Sequence, residues 1–288
     1  MNASDITFGI EIECTAPRGA INAGGYHRGL PLPAIEGVGE GWNAQHDGSL
    51  RARGRDRVGV EIVSPVLRGA DGLRQVKAVL AWLNGLGASV NASCGLHVHV
   101  GIGDDAEAVR RLTTLAANFE TAIYAGTGTK SRERGRWCAP ISTAREDARP
   151  RNAADVARFG NAAGRYRVLN LTNWAAGRSK AVEFRAFAGT LNYSKVVAYV
   201  RLCVGLAERA ATAKRVTTWT AKAVSPTSPI HRKGGVGQTA LTRLLYQLGW
   251  TKGRQPHVHG DLAGDGIPTL DNTKATLRRL AKKYDAAS

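Results

Sequence analysis

The sequence contains few cysteines and no long apolar run. Its four cysteines, Cys14, Cys94, Cys138 and Cys203, lie far apart and form no C-x-x-C pair. This spacing argues against a zinc knuckle and predicts a reduced, cytoplasmic protein. No apolar stretch approaches the roughly 20 residues that span a bilayer, so we expect no membrane segment. The N-terminal residues show no basic-then-apolar leader, and we therefore expect no secretory signal.

Acidic residues are scarce relative to basic ones. The 288 residues include 40 Lys and Arg against 23 Asp and Glu, a formal charge of +17 that attracts polyanions such as nucleic acid. The arginines are scattered along the chain, and a biased composition with solvated arginines explains the excess equally well. An enzyme that handles nucleotide phosphates and an acidic substrate would also benefit from this charge. Nucleic acid therefore stays open as a partner.

Two familiar catalytic motifs are absent as well. Residues 126–131 (G-T-G-T-K-S) resemble a phosphate-binding loop, but a Walker motif needs a glycine directly before the lysine and a preceding strand. A helix is expected before this segment instead. The H-E-x-x-H helix of zinc peptidases does not occur either.

Four predicted strands have charged residues on one face and apolar residues on the other. Residues 95–101 alternate apolar and imidazole side chains, so His97 and His99 share a face. The same alternation groups the charged residues of three further segments. Together these faces contribute Glu11 and Glu13 from residues 8–13, Glu61 from residues 58–63, His97 and His99, and Glu183 and Arg185 from residues 181–187.

These charged strand faces predict a binding site. Glutamate is depleted in strands, so acidic residues on several strands need a reason. Carboxylates with one or two imidazoles suit hard cations such as Mg²⁺ or Mn²⁺. Arg185 lies two residues from Glu183 on the same face, where it can reach a phosphate bound to the same metal. We therefore interpret the four segments as one polar sheet face that binds metal and phosphate.

Helical periodicity alternates with the predicted strands and indicates an α/β or α+β protein. We expect helices over residues 69–86, 104–124 and 193–213, with a short strand near residues 88–91. Beyond residue 216 a linker-like S-P-T-S-P stands at residues 225–229, followed by helical patterns near residues 239–248 and 272–284, the last strongly basic.

Several short motifs follow one another in a specific order. They are F-G-I-E-I-E at residues 8–13, D-G-S-L at 47–50, G-V-E-I-V-S-P at 59–65, C-G-L-H-V-H-V at 94–100, R-Y-R-V-L-N-L at 165–171 and E-F-R-A-F-A-G-T-L-N at 183–192. In this order they resemble the amidoligase family, which is related to the glutamine synthetase and glutamate–cysteine ligase superfamily. The resemblance covers roughly residues 6–213.

The resemblance implies both a fold and an activity. The implied fold is α+β and glutamine synthetase-like, with a curved, mainly antiparallel sheet (a half-barrel), helices packed on its convex face, and a C-terminal helical extension. ATP and Mg²⁺ or Mn²⁺ would bind on the concave side. The implied activity joins a small-molecule or peptide carboxylate to an amine through an acyl-phosphate. An amidoligase-like catalytic domain would span residues 1–215, and residues 216–288 would form the basic helical extension.

The resemblance also implies roles for individual residues. Those implied as metal ligands are Glu11, Glu13, Glu61, His97 and Glu183, those contacting the nucleotide are Glu13, His97, Glu183 and Arg185, and those with catalytic roles are Arg185, Arg132 and Asp47. His99 and Asn170 match motif positions without an assigned role.

Two rival functions stay open at this stage. A nucleic-acid-binding protein would use the positive charge and the basic last helix, and an amide ligase acting on a nucleic-acid-linked substrate would combine both functions. A metal-dependent amide hydrolase could use the same polar face. Oligomer formation also stays open.

Overall fold

A computed structural model of the chain describes residues 6–25, 28–141, 150–217, 227, 239–251 and 262–287. The strands among them are β1 (Phe8–Pro17), β2 (Leu30–Pro31), β3 (Asn43–His46), β4 (Arg57–Val63), β5 (Gly95–Gly101), β6 (Leu169–Asn170) and β7 (Ala181–Ala188). The helices are α1 (Gly69–Gly85), α2 (Ala106–Ala125), α3 (Asp155–Ala163), α4 (Thr172–Ala175), α5 (Tyr193–Thr212), α6 (Ala240–Gln247) and α7 (Leu270–Ala286).

The strands form one open sheet in the order β2-β3-β4-β1-β5-β7-β6. Every pairing between these strands is antiparallel. The predicted mixed fold with a mainly antiparallel sheet is therefore confirmed, and the four predicted polar strands are β1, β4, β5 and β7. They are adjacent in the sheet, because β4, β1, β5 and β7 are consecutive neighbours.

One face of the sheet supplies the hydrophobic core. The apolar residues that alternate with the charged ones, such as Ile12 and Val98, are completely buried. They belong to one hydrophobic cluster with the inward residues of α1, α2 and α5. The period-two pattern thus separates an apolar face, which packs against helices, from a polar face, which contains the candidate site.

The predicted short strand near residues 88–91 is wrong. In this segment only Ser89 pairs, in an isolated bridge with Thr15. A turn then begins, in which Asn91 Oδ1 accepts hydrogen bonds from Ser93 N and Ser93 Oγ. The chain therefore leaves the sheet after a single residue and returns as β5.

The described part of the C-terminal segment packs on the same core. Leu244 of α6 and Leu280 of α7 are buried in the hydrophobic cluster. Arg201, on α5, is 2% exposed and donates hydrogen bonds to Leu262 O at 2.7 Å, to Thr273 Oγ1 at 2.8 Å, and to Pro268 O. The domain boundary near residue 216 stays a prediction, and residues 225–229 lie outside the described residues except for Thr227.

Across the described ranges, no helix has both the length and the apolar character required to cross a bilayer.

Candidate functional site

Antiparallel register brings the charged residues of neighbouring strands together. Glu11 of β1 lies opposite His97 of β5, and Glu13 lies opposite Glu61 of β4. On the other side, His99 lies opposite Glu183 of β7. Directly opposed side chains have Cβ atoms about 5 Å apart, so these pairs form one continuous patch across four strands.

A β-bulge in β7 allows Arg185 to join this patch. Leu96 pairs with Phe187 and Val98 pairs with Phe184, so both Arg185 and Ala186 stand opposite His97. The extra residue lets Phe184 and Phe187 both pack in the core. The Arg185 guanidinium stays with Glu183, and its Nη1 lies 2.5 Å from Glu183 Oε1.

Two imidazoles share the carboxylate of Glu11. His97 Nδ1 lies 2.8 Å from Glu11 Oε2, and His99 Nε2 lies 2.9 Å from Glu11 Oε1. Burial opposes ionisation of Glu11, but the hydrogen bonds with His97 and His99 outweigh it and hold the pKa of this carboxyl well below its usual range. Glu11 is therefore ionised and orients both rings.

The other nitrogen of His97 points to a cation site. His97 is 2% exposed, and its Nε2 has no hydrogen-bond partner among the described residues. This atom lies 3.4 Å from Glu13 Oε1. Metal-binding histidines commonly donate their other N–H to a carboxylate, as His97 can do to Glu11. The buried, unpartnered nitrogen therefore fits a metal ligand.

Negative charge exceeds positive charge at the β1–β4 side of the patch. Glu61 accepts a hydrogen bond from the amide of Gln45, and Glu13 accepts one from the backbone N–H of Gly95. Burial and the nearby Glu11 carboxylate nevertheless raise the pKa of Glu61 to about 7. A cation bound among these carboxylates would offset this repulsion.

Among the described residues, three sets of side chains could each hold a metal ion, because the donor atoms within each set lie within 4.8 Å of one another. They are Glu11, His99 and Glu183; Glu11, Glu61 and His97; and Glu13, Asp47 and Glu61. Each residue predicted to bind metal occurs in at least one set. His99 and Asp47 are additional donors in these sets. Mostly oxygen ligands favour a hard cation such as Mg²⁺ or Mn²⁺.

Arg132 reaches the site from the loop that follows α2. Its Nη2 donates a hydrogen bond of 2.7 Å to Arg185 O, and both arginines are buried. The guanidinium lies against Gly95, where a Cβ atom would stand 2.8 Å from Nη2. Two cationic groups thus lie beside β7, which carries Glu183, and β5, which carries His97 and His99.

The patch forms the floor of a cavity of about 760 Å³. All the predicted site residues line it, together with Asn170, whose amide donates a hydrogen bond of 2.6 Å to Glu183. Asp47 stands at the rim in a turn where its Oδ1 accepts a hydrogen bond of 2.7 Å from Ser49 N. The structure therefore brings every candidate residue to one cavity.

The sequence of this chain matches the family model described as "putative amidoligase enzyme" over residues 36–207. The chain belongs to this family. The resemblance drawn from the ordered motifs is thereby confirmed, and membership indicates an amide-bond ligase. No curated protein is similar enough to the chain to count as a match.

The family match covers most, but not all, of this amidoligase site. Glu61, His97 and Glu183 lie within the matched span, whereas Glu11 and Glu13 precede it. Strand pairing nevertheless connects Glu11 to His97 and Glu13 to Glu61. The cavity of this family member thus includes a strand outside the matched residues.

Sequence reasoning missed part of the amidoligase cavity wall. Gln45, Arg165, Tyr166 and Arg178 line the cavity without having been predicted. Gln45 could have been found from its place two residues before Asp47, and Arg165 and Tyr166 from the R-Y-R-V-L-N-L motif that contains them. Arg178 stands on a loop without a local pattern.

The cysteines are not placed for nucleophilic catalysis. All four are free and buried. Burial raises the pKa of Cys14 to about 12, and it also raises the pKa of Cys94, next to β5. A raised pKa keeps a thiol protonated and unreactive.

Proposed function

We propose that this amidoligase is an ATP-dependent ligase that requires Mg²⁺ or Mn²⁺ and joins a carboxylate to an amine through an acyl-phosphate. The observation that supports this proposal is the convergence of four glutamates, two imidazoles and two buried arginines in one cavity. We further propose that the open sheet corresponds to a glutamine synthetase-like half-barrel, with the cavity on its concave side and the helices on its convex side.

In this proposal the metal ligands are Glu11, Glu13, Glu61, His97 and Glu183, with His99 and Asp47 as further donors. Bound Mg²⁺ or Mn²⁺ would neutralise charge on the ATP phosphates. Glu11 holds the rings of His97 and His99 in place. Asn170 and Arg185 hold the Glu183 carboxylate from two sides.

The reaction has two steps. A carboxylate oxygen of the acid attacks the γ-phosphorus of ATP, the bond to the β-phosphate oxygen breaks, and ADP leaves. The amine then attacks the acyl carbon, phosphate leaves, and the nitrogen loses a proton to give the amide. Arg185 and Arg132 would stabilise the transferred phosphoryl group, since this chemistry depends on positioning and charge neutralisation.

The two buried arginines favour a ligase over the metal-dependent hydrolase. Arg132 and Arg185 are both less than one-tenth exposed and lie beside the acidic patch. Hydrolysis of an amide needs a metal-activated water and a base, and it does not need two cations beside the metal ligands. Phosphoryl transfer does benefit from them. The free, buried cysteines support a cytoplasmic location for this chemistry.

The first prediction is that the protein forms hydroxamates from an acid, ATP and hydroxylamine when Mg²⁺ or Mn²⁺ is present. Hydroxylamine captures an acyl-phosphate whatever the natural amine is. A panel of amino acids, polyamines and acidic peptides should reveal the acid and the amine through ADP release. We expect Glu183→Gln and His97→Ala to lower the rate at least 100-fold, because each removes a ligand of the proposed metals.

Glu107→Gln is the matched control, because Glu107 pairs with Arg110 on the surface of α2. This variant should keep full activity. Turnover that survives both site substitutions would contradict the proposed roles, and cleavage of amides without ATP would support the hydrolase instead.

A further inference from the structure

Two exposed aromatic rings stand at the mouth of the cavity. Trp137 is 37% exposed, Tyr166 is 44% exposed, and both line the cavity. Their ring centroids lie 5.0 Å apart in an edge-to-face arrangement. Large aromatic side chains are usually well buried, so an exposed pair beside a polar cavity indicates a surface that a ligand covers.

An arginine lies over each of these rings. Cζ of Arg136 is 4.4 Å from the Trp137 ring centroid, and Cζ of Arg165 is 5.5 Å from the Tyr166 ring centroid. A guanidinium that stacks on a ring directs its N–H groups sideways, where an anion can accept them. We call these four residues the arginine–aromatic shelf.

Helix α7 has a second concentration of positive charge, its basic face. This face consists of Arg278, Arg279, Lys282 and Lys283, all exposed. No acidic residue occurs between residues 272 and 284. Burial and then the charges of Lys283 and Arg279 lower the pKa of Lys195 on α5. The cations of the basic face therefore repel one another, and a polyanion would relieve this repulsion.

The loop between α2 and residue 137 connects the two surfaces. At its first end, a Cβ atom on Gly128 would lie 3.5 Å from Cδ of Lys283. Lys130 Nζ lies 5.8 Å from the ring centroid of Tyr284 in α7. At its other end the loop carries Arg136 and Trp137. Positive charge thus continues from α7 to the cavity mouth.

We propose that this surface binds single-stranded nucleic acid, with phosphates on the basic face of α7 and bases stacked on the arginine–aromatic shelf. Proteins that bind single strands combine a positive track for the backbone with exposed rings for the bases. The basic face carries no large exposed apolar side chain that could enter a membrane. An acidic peptide would use the charges but would leave the flat rings without a partner.

This binding goes beyond the proposed ligase activity and does not require it. The shelf opens on the cavity, so a carboxylate or amine attached to a bound strand would reach the candidate metal ligands. Binding and ligation can be tested separately.

The second prediction is measured by fluorescence anisotropy of a labelled single-stranded oligonucleotide of about 12 nucleotides, a length within the usual site size. ATP and metal are left out, and salt is varied. Trp137→Ala should weaken binding about 5- to 100-fold with little change in salt dependence, because it removes one stacking platform. Trp137→Phe should retain most of the affinity. Arg279→Ala with Lys283→Ala should weaken binding and lower the salt slope by about one to two, since two phosphate contacts are lost.

Arg53→Ala with Arg55→Ala is the matched control, because it removes the same charge from an exposed turn between β3 and β4. This double variant should bind like the unmodified protein. The proposal would be overturned if the oligonucleotide did not bind, or if both double variants weakened binding equally. It would also be overturned if duplex bound with equal affinity and Trp137→Ala had no effect. Competition by polyglutamate as strong as that by unlabelled oligonucleotide would overturn it in favour of an acidic peptide. Glu183→Gln should lose ligase activity and keep oligonucleotide binding, which separates the two functions.

Discussion

At the scale of single residues, the lack of a side chain at Gly95 in β5 leaves room for the guanidinium of Arg132. Gly95 lies against the Arg132 guanidinium, and a Cβ atom would stand 2.8 Å from Nη2 and 3.0 Å from Cζ. Arg132 is 6% exposed, so it has little space into which it can move. Its hydrogen bond to Arg185 O would also be disturbed.

The third prediction follows from this contact. Gly95→Ala should lower the turnover of the proposed ligase about 100-fold, because displacing a positioning cation by 1 Å can cost that much. Steady-state kinetics and thermal unfolding should be measured together. Gly85→Ala is the control, since its Cβ would have no atom within 4 Å apart from its chain neighbours and the backbone of its own helix. Unchanged turnover in Gly95→Ala would show that the position of Arg132 does not matter for the reaction.

At the scale of elements, helix α7 supports the loop that carries Arg132 and Trp137. The Tyr284 hydroxyl donates a hydrogen bond to Glu133, and Lys130 lies over the Tyr284 ring. Leu280 contacts the same loop, since a Cβ on Gly128 would lie 3.0 Å from its Cδ2. A helix outside the matched family residues thus contacts the loop that forms part of the site.

The fourth prediction concerns this contact. Tyr284→Phe should cost about 1 kcal/mol of stability, because Glu133 loses a hydrogen-bond donor while the ring stays in place. Amide hydrogen exchange over residues 127–137 should become faster than in the unmodified protein. Tyr193→Phe is the control, because the Tyr193 hydroxyl has no hydrogen-bond partner among the described residues. Equal exchange rates in both variants would mean that α7 does not hold the loop.

At the scale of the whole molecule, one core unites the sheet, its helices and the C-terminal helices. Helix α5 lies within it and contains a buried acid, Glu208, which is 4% exposed. Burial raises the pKa of Glu208 from 4.5 to about 7. The folded state therefore binds more protons than the unfolded chain between these values, so stability falls as the pH rises through this window.

The fifth prediction is that Glu208→Gln stabilises the protein in a pH-dependent way. The stability that the protein has with Glu208 protonated is fully present below about pH 4.5. It is lost above about pH 7, where the buried carboxyl must ionise. The gain in unfolding free energy from the substitution should therefore increase by about 1–3 kcal/mol between pH 5 and pH 8. Urea unfolding of the variant and the unmodified protein at both pH values measures this gain, with Glu107→Gln as a surface control. A gain that is independent of pH would contradict the assigned titration.

The sequence by itself determined which residues share a strand face and where most elements lie. Alternation with period two paired Glu11 with Glu13, His97 with His99, and Glu183 with Arg185, because side-chain direction in a strand is a local property. The helical spacing of apolar residues that predicted α1, α2 and α5 is an equally local property. The ordered motifs sufficed to identify the family.

Only the tertiary structure decided which of these faces meet. Glu11 and His97 are 86 residues apart in the chain, and their contact depends on strand order and register, which no local period encodes. The bulge that places Arg185 opposite His97, and the loop contacts that bring Asp47, Arg132 and Trp137 to the cavity, depend in the same way on distant neighbours. A pattern along one strand limits side-chain direction, whereas a site built from several strands exists only after the sheet has paired.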